Sequence, residues 1–349
     1  MKAVVFIGGI NQHNPPRGGE EAKNQKLVKY LKSLNRPCHS IDTHNWKRRF
    51  VRVCLSLGIY VLGQRQKKII ISASDESAYK LLKLLKLFRV LRRNEVHYFV
   101  IGGDFARQLA KHQHRLSIYK ALTGIYPESR AMVEEAKALG LPNLRHVPNF
   151  REVPPPVLKT QLTEEGIIHF IYLARITPDK GSDLLLEACE YLNKKGFASK
   201  YKVDFYGFFH PDPDQYQERF SARLMQSTNV TYKGFLDVNT IAGFQALFYY
   251  DVLLFPTYWA TEGYSGTLID ALSAGIPAIA SDWNYNSELV QDNYNGKLIA
   301  PKNAQALAKA MQTMITEPDC VLELSAKAFE SAKAFDIKDL LGQTVFAND

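Results

Sequence analysis

The 349-residue chain is poor in cysteine, and its four, Cys38, Cys54, Cys189 and Cys320, are scattered with no Cys-x-x-Cys pair. That spacing argues against a disulfide-stapled secreted domain and against the common zinc layouts, and free thiols in a reducing compartment are expected. Long apolar runs are missing as well. The best, Val53 to Gly63, falls short of the ~18 residues that suggest a membrane-spanning helix. The amino terminus MKAVVFIGGI enters a strand-like run directly and lacks the long apolar region and cleavage site of a secretory signal, so a cytoplasmic protein is expected. No repeat of short period is visible, which disfavours solenoids and propellers.

What is present suits a folded protein of two domains: 46% hydrophobic and 23% charged residues, with a length beyond one typical core. The net charge of +9 conceals an asymmetry. Residues 1–160 carry 29 Lys/Arg against 11 Asp/Glu, net +18, and the remainder is net −9. An anionic partner is therefore expected for the first half only, either nucleic acid or an anionic membrane.

Strand-like runs at Lys2 to Ile7, Lys68 to Ser72 and Val96 to Ile101 alternate with helical patterns, the first at about Glu20 to Leu34. Leu144 to Val147 reads as one more short strand. Pro154-Pro155-Pro156 lies in a stretch without apolar periodicity, which predicts a linker over 151–165 between domains at 1–150 and 166–330. A second alternation then runs from the strand Ile167 to Leu173 to the helix Ala304 to Thr316, and 331–349 supplies a last helix, about Asp336 to Phe346, expected to pack back on the first domain. The fold class is α/β, two doubly wound units in tandem, with ligands at the carboxyl ends of the strands.

Lys80 to Arg93 reads KLLKLLKLFRVLRR. At 100° per residue Leu81, Leu84, Leu85, Leu87, Phe88 and Leu91 share one arc, and Lys83, Lys86, Arg89 and Arg93 lie opposite, the pattern of an interfacial helix on an anionic membrane. Lys47-Arg48-Arg49-Phe50-Val51-Arg52, followed by the apolar run to Gly63, is a second candidate. Packing of both apolar arcs on the sheet is the alternative. The basic clusters are interleaved with Leu rather than exposed aromatics and carry no nucleic-acid motif, so no nucleic acid is expected as partner.

In the second half, a strand runs into Ala174-Arg175-Ile176-Thr177-Pro178-Asp179-Lys180-Gly181-Ser182, where a helix begins. Two cations beside a helix amino end suit a diphosphate. Further on, the strand ending at Phe255-Pro256 leads to a loop presenting Glu262 with Gly263 and Gly266, and a helix places Asp270 near its start. Carboxylates accept hydrogen bonds from the vicinal hydroxyls of riboses and sugars.

The segment from Phe255 to Pro277 resembles the donor-site signature of the GT-B glycosyltransferases of family four, two acidic residues separated by seven others. Asp270 stands where Glu is more common, and Ser265 where Gly is frequent. The turn holding Arg175 and Lys180 resembles that family's phosphate-binding turn. Ser281-Asp282-Trp283-Asn284-Tyr285-Asn286-Ser287-Glu288 resembles a subgroup that builds bacterial capsule, lipopolysaccharide or exopolysaccharide.

The resemblance implies two Rossmann-like domains facing across a cleft and retaining transfer of a hexose or related sugar from a nucleotide sugar, UDP favoured over GDP. It assigns the diphosphate to Arg175 and Lys180, the ribose to Asp270 and the transferred sugar to Glu262. The amides of Tyr264, Ser265, Gly266 and Thr267 would lie near sugar and phosphate, and Gly207 and Phe208 near the base. Gly18-Gly19 resembles the family's glycine loop on the first domain, where Asp104, ranked above His97, is the candidate to orient the acceptor hydroxyl. No metal or other cofactor is expected. The acceptor would be a lipid-linked glycan or an oligosaccharide, met at the inner face of the cytoplasmic membrane. A nucleotide-sugar epimerase of the same architecture and a basic nucleic-acid-binding protein are the alternatives.

Overall fold

Runs of Val, Ile and Phe closed by small residues set the strands of the first half. In the computed structural model, which describes residues 3–16, 18–34, 37–153, 159–209 and 215–342, β1 (Val4–Gly8), β3 (Lys68–Ser74) and β4 (Glu95–Ile101) are buried along nearly their whole length. Central strands of a parallel sheet are covered on both faces, and they read as near-continuous apolar runs. Two shorter strands, β2 (Cys38–Asp42) and β5 (Gly124–Tyr126), form the edges of the order β2-β1-β3-β4-β5, with every neighbour parallel. The connections hold helices α1 (Gly19–Ser33), α2 (Phe50–Leu57), α3 (Asp75–Leu87), α4 (Phe105–Lys111) and α5 (Leu116–Tyr119), and α6 (Arg130–Ala138) follows β5. The strand order reverses between β1 and β3, and in an open α/β sheet that is where a ligand-binding crevice opens.

Leu144 to Val147 is not a strand: only Leu144 bridges to Ile125. The chain runs to Glu152 in this unit, leaves it for Val153–Asp336, and resumes it at Ile337. There α13 (Ile337–Gly342) buries Ile337 and Leu341 in a core with Phe6, Leu27 and Leu31. The rest of the helix expected to Phe346 lies outside the described residues.

The basic helix differs from its expectation. It ends at Leu87, because Arg89 takes a left-handed backbone (φ 58°), and Arg93 follows a separate short turn. Ala78, Leu82 and Leu85 pack into the unit; of the expected arc Leu85 is buried, Leu81 and Leu84 are half-buried, and Leu87 and Phe88 are exposed, next in sequence to the exposed Lys86 and Arg89.

A buried ion pair ties this unit together. Lys23 Nζ in α1 lies 2.6 Å from Glu128 Oε1 and also donates to the Val100 carbonyl at 3.3 Å, beneath the rings of Phe99 and Phe150. The neighbouring Ser129 caps α6 through the Met132 amide at 3.0 Å, so Glu128 is a structural partner at that turn rather than a base.

The second unit repeats the design. Strands β6 (Ile168–Leu173), β7 (Tyr201–Tyr206), β8 (Val230–Tyr232), β9 (Val252–Phe255), β10 (Ala278–Ser281) and β11 (Gly296–Ile299) form a parallel sheet of order β11-β10-β9-β6-β7-β8. Its reversal falls between β6 and β9. Helices α7 (Ser182–Lys194), α8 (Tyr216–Leu224), α9 (Ile241–Ala246), α10 (Gly266–Ser273), α11 (Ala304–Thr316) and α12 (Pro318–Ala332) flank it. Leu185 and Leu192 of α7 and Leu307 and Met311 of α11 meet Phe170, Val203 and Phe205 in the core. The prolines of the expected linker lie outside the described residues. Its later part is pinned rather than free: Lys159 Nζ is 2.6 Å from the buried Asp251 carboxylate, which also accepts from the Thr163 amide at 3.1 Å.

Removing one partner of a buried ion pair strands the other charge, at a cost of about 3–5 kcal/mol. Lys23→Ala should therefore lower the unfolding free energy of the first unit by about that much in urea titration. Pairing Lys23→Met with Glu128→Leu should recover most of the loss.

Candidate functional site

The reversal between β6 and β9 sets two turns side by side. The turn after β6 holds Arg175 and Lys180 and ends at Gly181, whose left-handed backbone (φ 81°) opens α7. A Cβ added there would lie 2.3 Å from the Pro256 carbonyl at the end of β9, so only glycine allows this close approach. The Tyr258 amide donates to the Asp179 carbonyl at 2.8 Å and completes the join.

Across it, Lys180 Nζ lies 2.5 Å from Glu262 Oε2, with both side chains almost fully buried. The same oxygen accepts from Thr257 Oγ1 at 2.7 Å. Trp259, to which the sequence assigned no role, lies beside both cations: Arg175 Cζ is 4.8 Å and Lys180 Nζ 5.8 Å from its ring centre. Such contacts stabilise a cation by roughly 0.5–2 kcal/mol while leaving its outward edge for an anion.

The stretch after β10 supports this loop. Trp283 Nε1 donates to the Trp259 carbonyl at 2.8 Å, and Asn284 Nδ2 to the Glu262 carbonyl at 3.0 Å. Ser281 Oγ donates to the Thr257 carbonyl. Lys302, also missed in the sequence, stands over Tyr258 at 5.2 Å and Trp283 at 6.0 Å. Its signal is faint, a lone Lys beyond β11.

Past Glu262 and Gly263, the buried Tyr264 meets the Phe335 ring at 6.1 Å. Ser265 caps α10 by accepting from the Leu268 amide at 3.4 Å, a physical reason for Ser at a position where glycine was expected. The first-turn amides of Gly266 and Thr267 have no carbonyl one turn earlier, as at any helix start. Asp270 is the fifth residue of α10 and is buried.

At the next strand ends, Phe208 and Phe235 stack at 4.3 Å, half-exposed, and form one aromatic platform. Gly207 has a structural reason of its own: a Cβ would meet the Ala174 carbonyl at 1.8 Å.

Gly18, Gly19 and Asp104 belong to the first unit. Gly18 precedes α1 and Gly19 begins it, with open space beside both. Asp104 follows β4 and accepts from Gln108 Nε2 at 3.0 Å. His97 is not at the strand end as expected; it is buried within β4, its Nδ1 2.8 Å from the Tyr126 hydroxyl. Lys83, Lys86, Arg89 and Arg93 are exposed, on the broken helix described above. Asp212-Pro213-Asp214, two carboxylates of DxD spacing, lies outside the described residues.

Two parallel, doubly wound sheets, one carrying paired cations and a carboxylate at its reversal point, make this a GT-B protein. The chain belongs to the glycosyl transferases group 1, whose family model matches residues 158–335. It is 25% identical over 233 residues to the amylovoran biosynthesis glycosyltransferase AmsK of Erwinia amylovora, covering 64% of this chain and 56% of that one. It is 30% identical over 152 residues to the putative colanic acid biosynthesis glycosyltransferase WcaL of Salmonella typhimurium, covering 40% and 34%. The matches thus span between about a third and just over a half of these relatives. The fold is that of Anabaena HepE in complex with UDP, with TM-score 0.70 at 16% identity and 99% of both chains covered. Among the described residues no helix is long and apolar enough to cross a membrane.

In the first unit, burial beside Gly9 and the like charge of Glu21 push the Glu20 carboxyl up to about 7 from 4.5, against the pull of the Gly9 amide. The folded state then holds this proton more tightly than the unfolded chain. Stability should decline as pH rises from about 4.5 to about 7, by about 1.4 kcal/mol for each unit between the two pKa values. Glu20→Gln should remove that decline from urea midpoints measured across the window.

Proposed function

We propose that the chain is a retaining glycosyltransferase that moves a hexose or related sugar from a nucleotide sugar, UDP-linked in preference to GDP-linked, to a lipid-linked or oligosaccharide acceptor. The observation that carries the reading is the Lys180–Glu262 ion pair, with Arg175 beside it, at the reversal point of the second sheet. Arg175 and Lys180 bind the donor diphosphate, Glu262 accepts a hydroxyl of the transferred sugar, and Asp270 accepts from the ribose. The Phe208–Phe235 platform takes the base.

On this reading the acceptor oxygen bonds to the anomeric carbon as the bond to the diphosphate breaks. The acceptor proton passes to the departing phosphate oxygen on the same face. The cationic turn stabilises charge growing on the leaving group without a divalent metal. The relatives' names favour assembly of a bacterial surface polysaccharide, and the UDP in the HepE complex favours a uridine donor. The basic first half favours work at the inner face of the cytoplasmic membrane.

Lys180→Ala and Arg175→Ala should each lower kcat/KM for transfer by about 10²–10³-fold, the usual loss for one donor to a developing oxyanion. Glu262→Gln should also impair transfer, with folding checked by circular dichroism, because it keeps the shape but weakens the pair. Full activity in all three variants sinks the site. UDP-sugar at ~100 times its Kd should stabilise the protein by ~2.7 kcal/mol in a thermal-shift series, and GDP-sugar by less. Transfer should persist in EDTA; a loss restored by a divalent ion overturns metal independence. Conversion of the sugar with no acceptor present marks an epimerase instead.

A further inference from the structure

We propose that the flank of the first unit formed by α2 and its π-helical continuation, Gly58–Leu62, docks onto an anionic lipid bilayer, with the end of α3 as a second contact. The inference rests on the reading of the acceptor as lipid-borne. Its segment is the one the sequence ranked second, behind the KLLKLLKLFRVLRR helix.

The helix is apolar on a side the protein does not cover. Leu57 and Val61, four residues apart, are buried and hold it to the unit, where Tyr60 stacks on His39 at 3.5 Å. Val51, Leu55 and Ile59, also spaced by four, form a ridge with 69%, 61% and 60% of their surfaces exposed. Phe50 and Trp46, rings 6.1 Å apart, extend it towards the start of the helix and are about half-exposed. Contiguous apolar surface of this kind normally marks a docking face.

Charge selects the occupant. Residues 43–74 contain seven Lys/Arg and no Asp or Glu. Lys47, Arg48, Arg49 and Arg52 are all exposed around the start of the ridge, Arg49 with Nη1 3.7 Å from Asp42. Apolar side chains rimmed by cations match the boundary between acyl chains and anionic headgroups. A symmetric dimer through the same face would oppose these cations to themselves.

The second contact is joined to the first. The exit of the π-helical turn is bonded to the turn after α3: the Gln66 amide donates to the Arg93 carbonyl at 2.9 Å, and Asn94 Nδ2 to the Gln64 carbonyl at 3.2 Å. Leu87, 76% exposed, and Phe88 stand at the end of α3 with Lys86 and Arg89.

Flotation of the full chain with vesicles tests the proposal, with neither donor nor acceptor present, so that its outcome is independent of the transferase reading. Wild type should float with vesicles of mixed phosphatidylcholine and phosphatidylglycerol and remain below with pure phosphatidylcholine. The variant V51S/L55S/I59S should bind at least about tenfold more weakly, and R48Q/R49Q/R52Q should lose the preference for anionic lipid. An environment-sensitive dye on Cys54, exposed within α2, should shift to the blue on binding. Equal flotation of wild type and the serine variant, or an unshifted dye, overturns the proposal. Self-association in sedimentation velocity that the serine substitutions abolish assigns the face to a second copy and overturns it as well.

Discussion

The arrangement of the second unit's candidate site depends on the ion pair between Lys180 and Glu262. It joins the turn after β6 to the loop after β9 across the one place where the strand order reverses. Neither charge is well hydrated there, so each needs the other; an isolated buried charge costs several kcal/mol. The surrounding features preserve that geometry. Gly181 lets the two backbones touch, Thr257 fixes the carboxylate, and Trp283 and Asn284 hold the loop carbonyls from behind. The Trp-Asn stretch after β10, read in the sequence as a subgroup resemblance, thus acquires a mechanical role.

Strands buried on both faces were legible from their β-branched runs, and β9 ends at Phe255 as the pattern placed it. The edge strand β2, Cys-His-Ser-Ile-Asp, was missed because only Ile41 along it is fully buried, and a half-solvated edge shows no apolar signature. The short strand at Leu144 was overread from two apolar residues, Leu144 and Val147. In α3, leucine occurs on almost every side, so periodicity could not say which leucines face the sheet; Ala78 and Leu82 do, and of the expected arc only Leu85 is fully buried with them. The paired residues of the site were legible as residue types at strand ends. Their contact was not, because Lys180 and Glu262 are 82 positions apart and meet only through a parallel β6–β9 pairing.

Net charge and local charge point in opposite directions in this chain. The half that carries the candidate diphosphate site is net −9, and the half with the proposed membrane flank is strongly basic. A net count governs long-range steering, which salt screens beyond about 8–10 Å. A buried site answers instead to the few groups aimed at it, here Arg175 and Lys180 with Trp259 beside both. The acidic surface of the second unit is therefore no obstacle to binding an anion. In the first unit the cations of the proposed flank are exposed, where charge acts over the surface rather than on one bound group.

The preformed pair also bears on how a donor would be used under the proposed reading. Glu262 Oε2 already accepts from Lys180 and Thr257, so its part is to hold and orient rather than to take a proton from the acceptor. Under that reading the departing diphosphate oxygen receives the proton on the reacting face, as the resemblance to retaining transferases implies. A diphosphate arriving beside Lys180 shares an ammonium whose desolvation has already been offset by Glu262. As the leaving oxygen gains charge the ammonium interacts with it more strongly than with the ground state, and only that difference accelerates the reaction. The carboxylate keeps Lys180 in place before the donor arrives, and the growing charge on the diphosphate then makes its position effective.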